Sequence, residues 1–255
     1  MDTSLDIPAY LDRIRVTQAP SVTIEFLRTL HRQHVFHVPF ENLDIHLGRT
    51  ISLAPADLFE KIVRKRRGGY CFELNGLFQL LLQALGFQIY STAARVLFGT
   101  ETIPPRSHQL LIVTLDEADW VVDVGFGAFG LIEPIPLTTG LEHRQITDRF
   151  RLEQDPLLGF VFQSYHDNRW HNQYAFTPDL HHPIDFAFAN YYHSHSPHSI
   201  FTQKRLCQLP TTEGRKRLDG KTLLHTVNGT TQPVALDSEQ DVLQALKTHF
   251  NLHLL

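Results

Sequence analysis

Cys71 stands where a thiol can do chemistry. It follows Gly68-Gly69-Tyr70 and opens a run in which Leu74, Leu77, Phe78, Leu81, Leu82 and Leu85 recur at helical spacing. That pattern predicts an amphipathic helix over 71–85, closed by Gly86. A helix start carries unpaired N–H groups and a partial positive charge, both of which favour an anion. A thiolate nucleophile suits such a position. The spacing 71–74–78–81–85 also turns the sulfur to the inward face. A free cysteine is equally at home as a small buried hydrophobe, so position alone leaves both roles open.

A cysteine nucleophile needs a base and a group that orients the base. His108 begins an apolar stretch and Asp123 ends the next one, within Trp120-Val121-Val122-Asp123-Val124-Gly125-Phe126-Gly127. If the two stretches form an antiparallel hairpin, residues 108, 110 and 112 share a face with 121 and 123. A turn centred on the polar residues 116–119 puts Asp123 opposite Ile112, about 13 Å from His108. A turn at 115–116 puts the two opposite each other. The pattern does not choose between these registers. An unpaired carboxylate in an apolar strand is costly, so Asp123 requires a partner.

The surrounding elements set the fold class. Residues 1–86 read as helical, with helices over 21–36 and 55–63 before the one at 71–85. From residue 87 the pattern changes to short strands at 88–98, 109–115, 120–124, 149–153, 160–164 and 173–176, which suggests an antiparallel barrel or sandwich. A polar, His-rich loop at 193–198 leads to a mixed tail, whose last helix starts at the capping pair Ser238 and Asp241. A length of 255 residues fits about two domains, and the 42% apolar share supplies a core and excludes a disordered chain. Lys+Arg 23 against Asp+Glu 27 leaves −4, no footprint for nucleic acid. No apolar run reaches the ~20 residues of a membrane span, and residues 1–10 lack the basic and apolar regions of a signal peptide. Two cysteines make no disulfide framework, so thiols in the cytoplasm are expected.

The residues Arg67-Gly68-Gly69-Tyr70-Cys71-Phe72-Glu73-Leu74-Asn75 resemble the nucleophile motif of the arylamine N-acetyltransferases. Val38-Pro39-Phe40-Glu41-Asn42-Leu43, Arg106-Ser107-His108, Val122-Asp123-Val124-Gly125-Phe126-Gly127, and the stretches at 185–192 and 196–201 follow in the order of that family's other segments. The resemblance runs from about residue 24 to the C-terminus. It implies an α+β fold of three domains: a helical bundle over 1–86, an antiparallel β-barrel over 87–190 and an α/β lid over 191–255. It also implies a Cys71–His108–Asp123 triad and ping-pong transfer of acetyl from acetyl-CoA, through acetyl-cysteine, to an aromatic amine or hydrazine. Phe40, Val96, Phe126 and Phe201 would line the aryl pocket, and Ser107, Gly125 and Gly127 would contact CoA. Glu41 and Arg67 would brace the Cys71 loop as a buried pair. A related amide synthase would share all these motifs and differ in acyl group or acceptor.

The bland readings stand beside these. Arg64-Lys65-Arg66-Arg67 reads as cations at a helix end. The 16 histidines invite a metal, through His31, His34 and His37 or His193, His195 and His198. No acid or cysteine completes either set, so no metal site is expected. Cys207 lies in a polar stretch without a motif.

Overall fold

The computed structural model describes residues 5–100, 102–127 and 129–254. The chain starts with α1 (Ile7–Arg13) and α2 (Ile24–His37), capped by the side chains of Asp6 and Thr23. A short strand β1 (Phe40–Glu41), α3 (Leu43–His46) and α4 (Pro55–Phe59) follow. α4 widens into a π turn over Glu60–Arg64, where the Lys65 N–H reaches back to the Glu60 carbonyl. Next comes α5 (Cys71–Ala84). Its apolar stripe is the one the spacing predicts: Leu74, Leu77, Phe78, Leu81 and Leu82 are all fully buried. Gly86 ends the helix with φ +92, a conformation that glycine adopts without strain.

Eight strands then form one antiparallel sheet. They are β2 (Gln88–Val96), β3 (Arg106–Leu115), β4 (Ala118–Val122), β5 (Ile135–Pro136), β6 (His143–Gln145), β7 (Asp148–Asp155), β8 (Gly159–His166) and β9 (Arg169–Phe176). Their order is β5-β4-β3-β2-β9-β8-β7-β6. The sheet curls toward a barrel. Gln145 on β6 bonds the backbone of Ile132 and Glu133, just before β5, and so draws the two edges together. β3 is buried on both sides. Leu110 and Ile112 face the barrel interior with Phe150, Phe162 and Tyr174, while Leu111, Val113 and Leu115 pack on the helices with Leu77 and Phe78. Each such side chain contributes about 1.5–3 kcal/mol by leaving water.

After a 3-10 turn at Pro183–Phe186 come α6 (Ala187–His195) and α7 (Ile200–Gln203). A second sheet contains β10 (Leu206–Thr211), β11 (Gly214–Asp219), β12 (Thr222–Val227) and β13 (Thr230–Ala235), with α8 (Glu239–Phe250) packed against it. Its order is β1-β10-β11-β12-β13, so the N-terminal part supplies its edge strand. The sequence reads 193–198 as a loop, but α6 runs through His195. Its aromatic contacts, and a bond from Ser194 Oγ to the Asn190 carbonyl, hold a helix that the apolar pattern does not announce. Cys207 is likewise no incidental residue of a polar stretch. It is fully buried on β10 against Leu43, Leu218 and Phe250. No helix among the described residues is long and apolar enough to cross a membrane.

A buried ionic chain locks the turn before α5. Arg67 bonds Glu41 Oε1 at 2.8 Å and Asp44 Oδ1 at 3.0 Å, and Lys61 bonds Asp44 Oδ2 at 2.8 Å and Glu73 Oε1 at 2.7 Å. Glu73 in turn accepts the Tyr70 N–H at 3.0 Å, which caps α5. Gly68 leaves no room for a side chain, since a Cβ there would lie 1.9 Å from the Pro39 carbonyl oxygen. Glu41 depends on Arg67, because a buried carboxylate without its cation costs about 3–5 kcal/mol. Replacing Arg67→Met should therefore lower the thermal midpoint by roughly 10 °C. The added change Glu41→Gln should restore part of the loss, because it removes the stranded charge. Calorimetry checks both, and a single variant melting like the parent would contradict the brace.

Candidate active site

Three elements deliver the site. α5 brings Cys71, β3 brings His108, and the segment after β4 brings Asp123. The β3–β4 hairpin turns on Asp116-Glu117, both with positive φ, and Leu115 pairs with Ala118. This lies between the two registers open to the sequence. Leu111 pairs with Val122, so Asp123 falls level with Leu110, one step along the same face from His108. The diagonal is short enough to bridge, and His108 Nε2–H donates to Asp123 Oδ2 at 2.8 Å. Cys71 borders the same cavity as this ring and is among the groups that raise its pKa. With Nε2 committed to the carboxylate, Nδ1 is the nitrogen left for sulfur.

The carboxylate is held from every side. Asn75 Nδ2 and the Gly125 N–H each donate to Asp123 Oδ1 at 2.9 Å. Asn75 also donates to the Gln109 carbonyl and accepts the Val124 N–H, which ties α5 to both strands. The Asp123 N–H donates to His31 Nε2, while His31 Nδ1–H donates to the Ile132 carbonyl. Burial works against the charge on Asp123, but His108, Asn75 and Gly125 outweigh it and hold its pKa below the ordinary value. Burial also opposes a charge on His108. Asp123, helped by Cys71, reverses that and raises the imidazole to about 10. His31 shows burial winning, with its pKa lowered to about 4.

Cys71 is only 4% exposed, yet it borders a cavity of about 610 Å³. The cavity brings together Phe40, Val96, Phe126 and Phe201 with Ser107, His108 and Gly125. That volume and its aromatic walls suit a small aryl ligand. Phe126 packs edge-on to His108 at 5.1 Å, and Phe40 lies 6.1 Å from Phe201. Gly127 lines a neighbouring crevice instead, with φ +85. Gly125 has a structural reason to be glycine, because a Cβ there would lie 2.9 Å from the Cys71 Cα. Ala128, between these glycines and Gly130, lies outside the described residues.

The sequence did not point to Asn75, His31 or Tyr174 as parts of this site. Asn75 had a signal, since it lies one helical turn after Cys71 on the same face. Tyr174 had none. It reaches His108 and Phe126 from β9, with ring centroids 5.2 and 5.0 Å away. The histidine sets read as metal candidates are spent elsewhere: His31 as above, His34 on the Tyr10 hydroxyl and His193 on the Ser107 carbonyl.

Known proteins share this arrangement of chain. The sequence model of a family described as N-acetyltransferase matches residues 23–255. The arylamine N-acetyltransferase of Escherichia coli K12 is 38% identical over 222 residues, covering 86% of this chain and 79% of that one. The solved arylamine N-acetyltransferase of Salmonella typhimurium superposes with a TM-score of 0.92 at 33% identity, covering 96% and 90% of the two chains. That of Mycobacterium marinum, solved in complex with CoA, gives 0.91 at 31%, covering 97% and 93%. With the family match spanning nearly the whole sequence and the fold agreeing from helices to second sheet, the chain belongs to the arylamine N-acetyltransferase family.

Proposed function

We propose that the protein transfers acetyl from acetyl-CoA to aromatic amines or hydrazines, with Cys71, His108 and Asp123 as the reacting triad. One observation carries this reading: a thiol at a helix start and an imidazole hydrogen-bonded to a buried carboxylate line the same aromatic cavity. The raised pKa of His108 favours imidazolium, the natural counter-ion of a thiolate. Cys71 attacks the thioester carbonyl and forms a C–S bond. The tetrahedral centre collapses, the bond to the CoA sulfur breaks, and His108 supplies a proton to the leaving thiolate. The amine then attacks the acetyl-cysteine and gives its proton to His108, and Cys71 leaves as thiolate. Asp123 holds the ring and balances its charge. The Cys71 N–H, in the first turn of α5, is an oxyanion donor in both steps.

Phe40, Val96, Phe126 and Phe201 serve as the aryl walls, and Ser107 and Gly125 border the path of the pantetheine arm, with Gly127 one crevice away. In this division of labour, residues 1–86 carry the nucleophile, 87–190 carry the base and its partner, and 191–255 close the cavity. A cytoplasmic setting suits a nucleophile that must stay reduced.

Intact-mass measurement after brief exposure to acetyl-CoA without amine should show about 42 Da added at Cys71, the mass of one acetyl group in a covalent route. An arylamine should clear the adduct, and Cys71→Ala should not form it. Retained amine acetylation in Cys71→Ala would refute the covalent route. Asp123→Asn should lower turnover by roughly 10³–10⁴-fold, as loss of the orienting carboxylate does in related triads. The same variant bears on charge. With its folded pKa raised to about 10, His108 stabilises the fold below the unfolded value of 6.5 and loses that contribution as pH rises through about 10. Nitrogen NMR of the imidazole should thus show His108 protonated at pH 8 in the parent and neutral there in Asp123→Asn. Identical spectra would remove Asp123 as the source of the shift.

A further inference from the structure

Ser107 is the extra residue of a β-bulge. Ala94 pairs with His108 and Arg95 pairs with Arg106, so nothing on β2 stands opposite Ser107. A bulged residue drops out of the ladder, and its carbonyl must find another donor. His193 supplies it. From the last turn of α6 its Nε2 lies 3.0 Å from the Ser107 carbonyl oxygen. The same imidazole stacks on Phe72, with centroids 5.9 Å apart and planes at 28°, and meets Phe201 edge-on at 5.0 Å. Phe72 directly follows Cys71, and Ser107 directly precedes His108. One side chain from α6 thus touches the neighbours of both reacting residues.

The ring's chemistry suits a fixed strut. A nitrogen facing a carbonyl must carry the proton, so Nε2 is the protonated one and Nδ1 keeps its lone pair. Nδ1 is buried with no hydrogen-bond partner among the described residues. Protonating it would bury an unpaired donor and set a second positive ring beside His108. Burial, and then the His108 charge, lower the His193 pKa accordingly, against the pull of the Ser107 carbonyl. His193 therefore holds its bond as a neutral donor while His108 changes charge during turnover.

We propose that His193 is a positioning residue: its hydrogen bond to the bulged Ser107 carbonyl sets the placement of the His108 ring relative to the Cys71 sulfur. This rests on Cys71 and His108 being the reacting pair. A bulge is a soft point in a strand, and an error of about 1 Å in a catalytic group costs as much as 10²-fold.

The test compares the parent with His193→Leu and His193→Gln. Glutamine puts its amide nitrogen where the imidazole Nε2 sits, and leucine keeps bulk without a donor. Cys71 acetylation is timed by mass spectrometry with acetyl-CoA and with the small donor p-nitrophenyl acetate, and Cys71 alkylation by iodoacetamide is followed against pH. His193→Leu should acetylate about tenfold or more slowly with both donors and shift the alkylation profile, while His193→Gln stays within about threefold of the parent. Three results would overturn the proposal: a folded leucine variant with parental rates and profile, equal losses in both variants, or a loss confined to acetyl-CoA, which marks a substrate contact. If the leucine variant does not fold, the glutamine variant decides: parental behaviour supports the hydrogen bond, and a tenfold loss in folded protein refutes it. A parent that forms no Cys71 adduct with either donor would fail the triad reading itself, a separate outcome.

Discussion

A carboxylate removed from water must be given back its hydrogen bonds and a countercharge, and much of this molecule is arranged around doing so for Asp123. The residue is 1% exposed. His108, Asn75 and the Gly125 N–H supply donors, and His31 holds its backbone. Each partner comes from a different part of the chain: β3, α5, the strand's own extension and α2. Satisfying one charge therefore joins the helical layer to the barrel where a thiol and an imidazole must meet. Breaking one half of such a pair leaves the other half stranded at several kcal/mol, which makes the arrangement all-or-none.

A second buried charge cluster lies on the Cys71 side. Arg67 and Lys61 neutralise Glu41, Asp44 and Glu73, and Glu73 caps the helix on which Cys71 sits. Glu41 belongs to β1, which pairs with Gly69 through its N–H and with Cys207 on β10. The turn before Cys71 is thereby clamped between the N-terminal part and the second sheet. Two electrostatic clusters, both reaching α5, fix the segments that carry Cys71 and His108. In our proposal the bulge at Ser107, held by His193 on α6, sets the distance between them.

Apolar walls border a thiol that is itself almost fully buried. Cys71 faces a cavity whose surfaces come from β1, β2, the loop after β4 and α7. Cys71, His108 and Asp123 are each at most 4% exposed, so charge interactions among them are stronger than at the surface. Burial also accounts for the opposite fates of two nearby histidines. His108 has a carboxylate and is raised, whereas His31 has only neutral partners at its ring and is lowered.

Much of this was legible in the residue order. The stripe on α5, the turn from helices to strands at residue 87 and the capping pair at Ser238 follow from short-range spacing, because helix and strand periodicity is local, while the segments around Cys71, His108 and Asp123 stood out by their resemblance to a family. Reading Asp123 as a carboxylate in need of a partner was also local chemistry. The partner's identity through the hairpin register was not, since the turn at Asp116-Glu117 depends on which of several polar residues takes positive φ. Nor were His31 and Tyr174 as supports, Cys207 as core, or α6 as a helix, and Asn75 had only its helical spacing from Cys71. Their roles arise from contacts across tens to more than a hundred residues, as with His31 and Asp123, 92 positions apart. Residue type and spacing by themselves determined the local elements and marked Cys71, His108 and Asp123 as candidates, which the family resemblance joined into a triad. Tertiary packing decided their distances, their charges and the walls around them, because burial and neighbouring charge act through space and not along the chain.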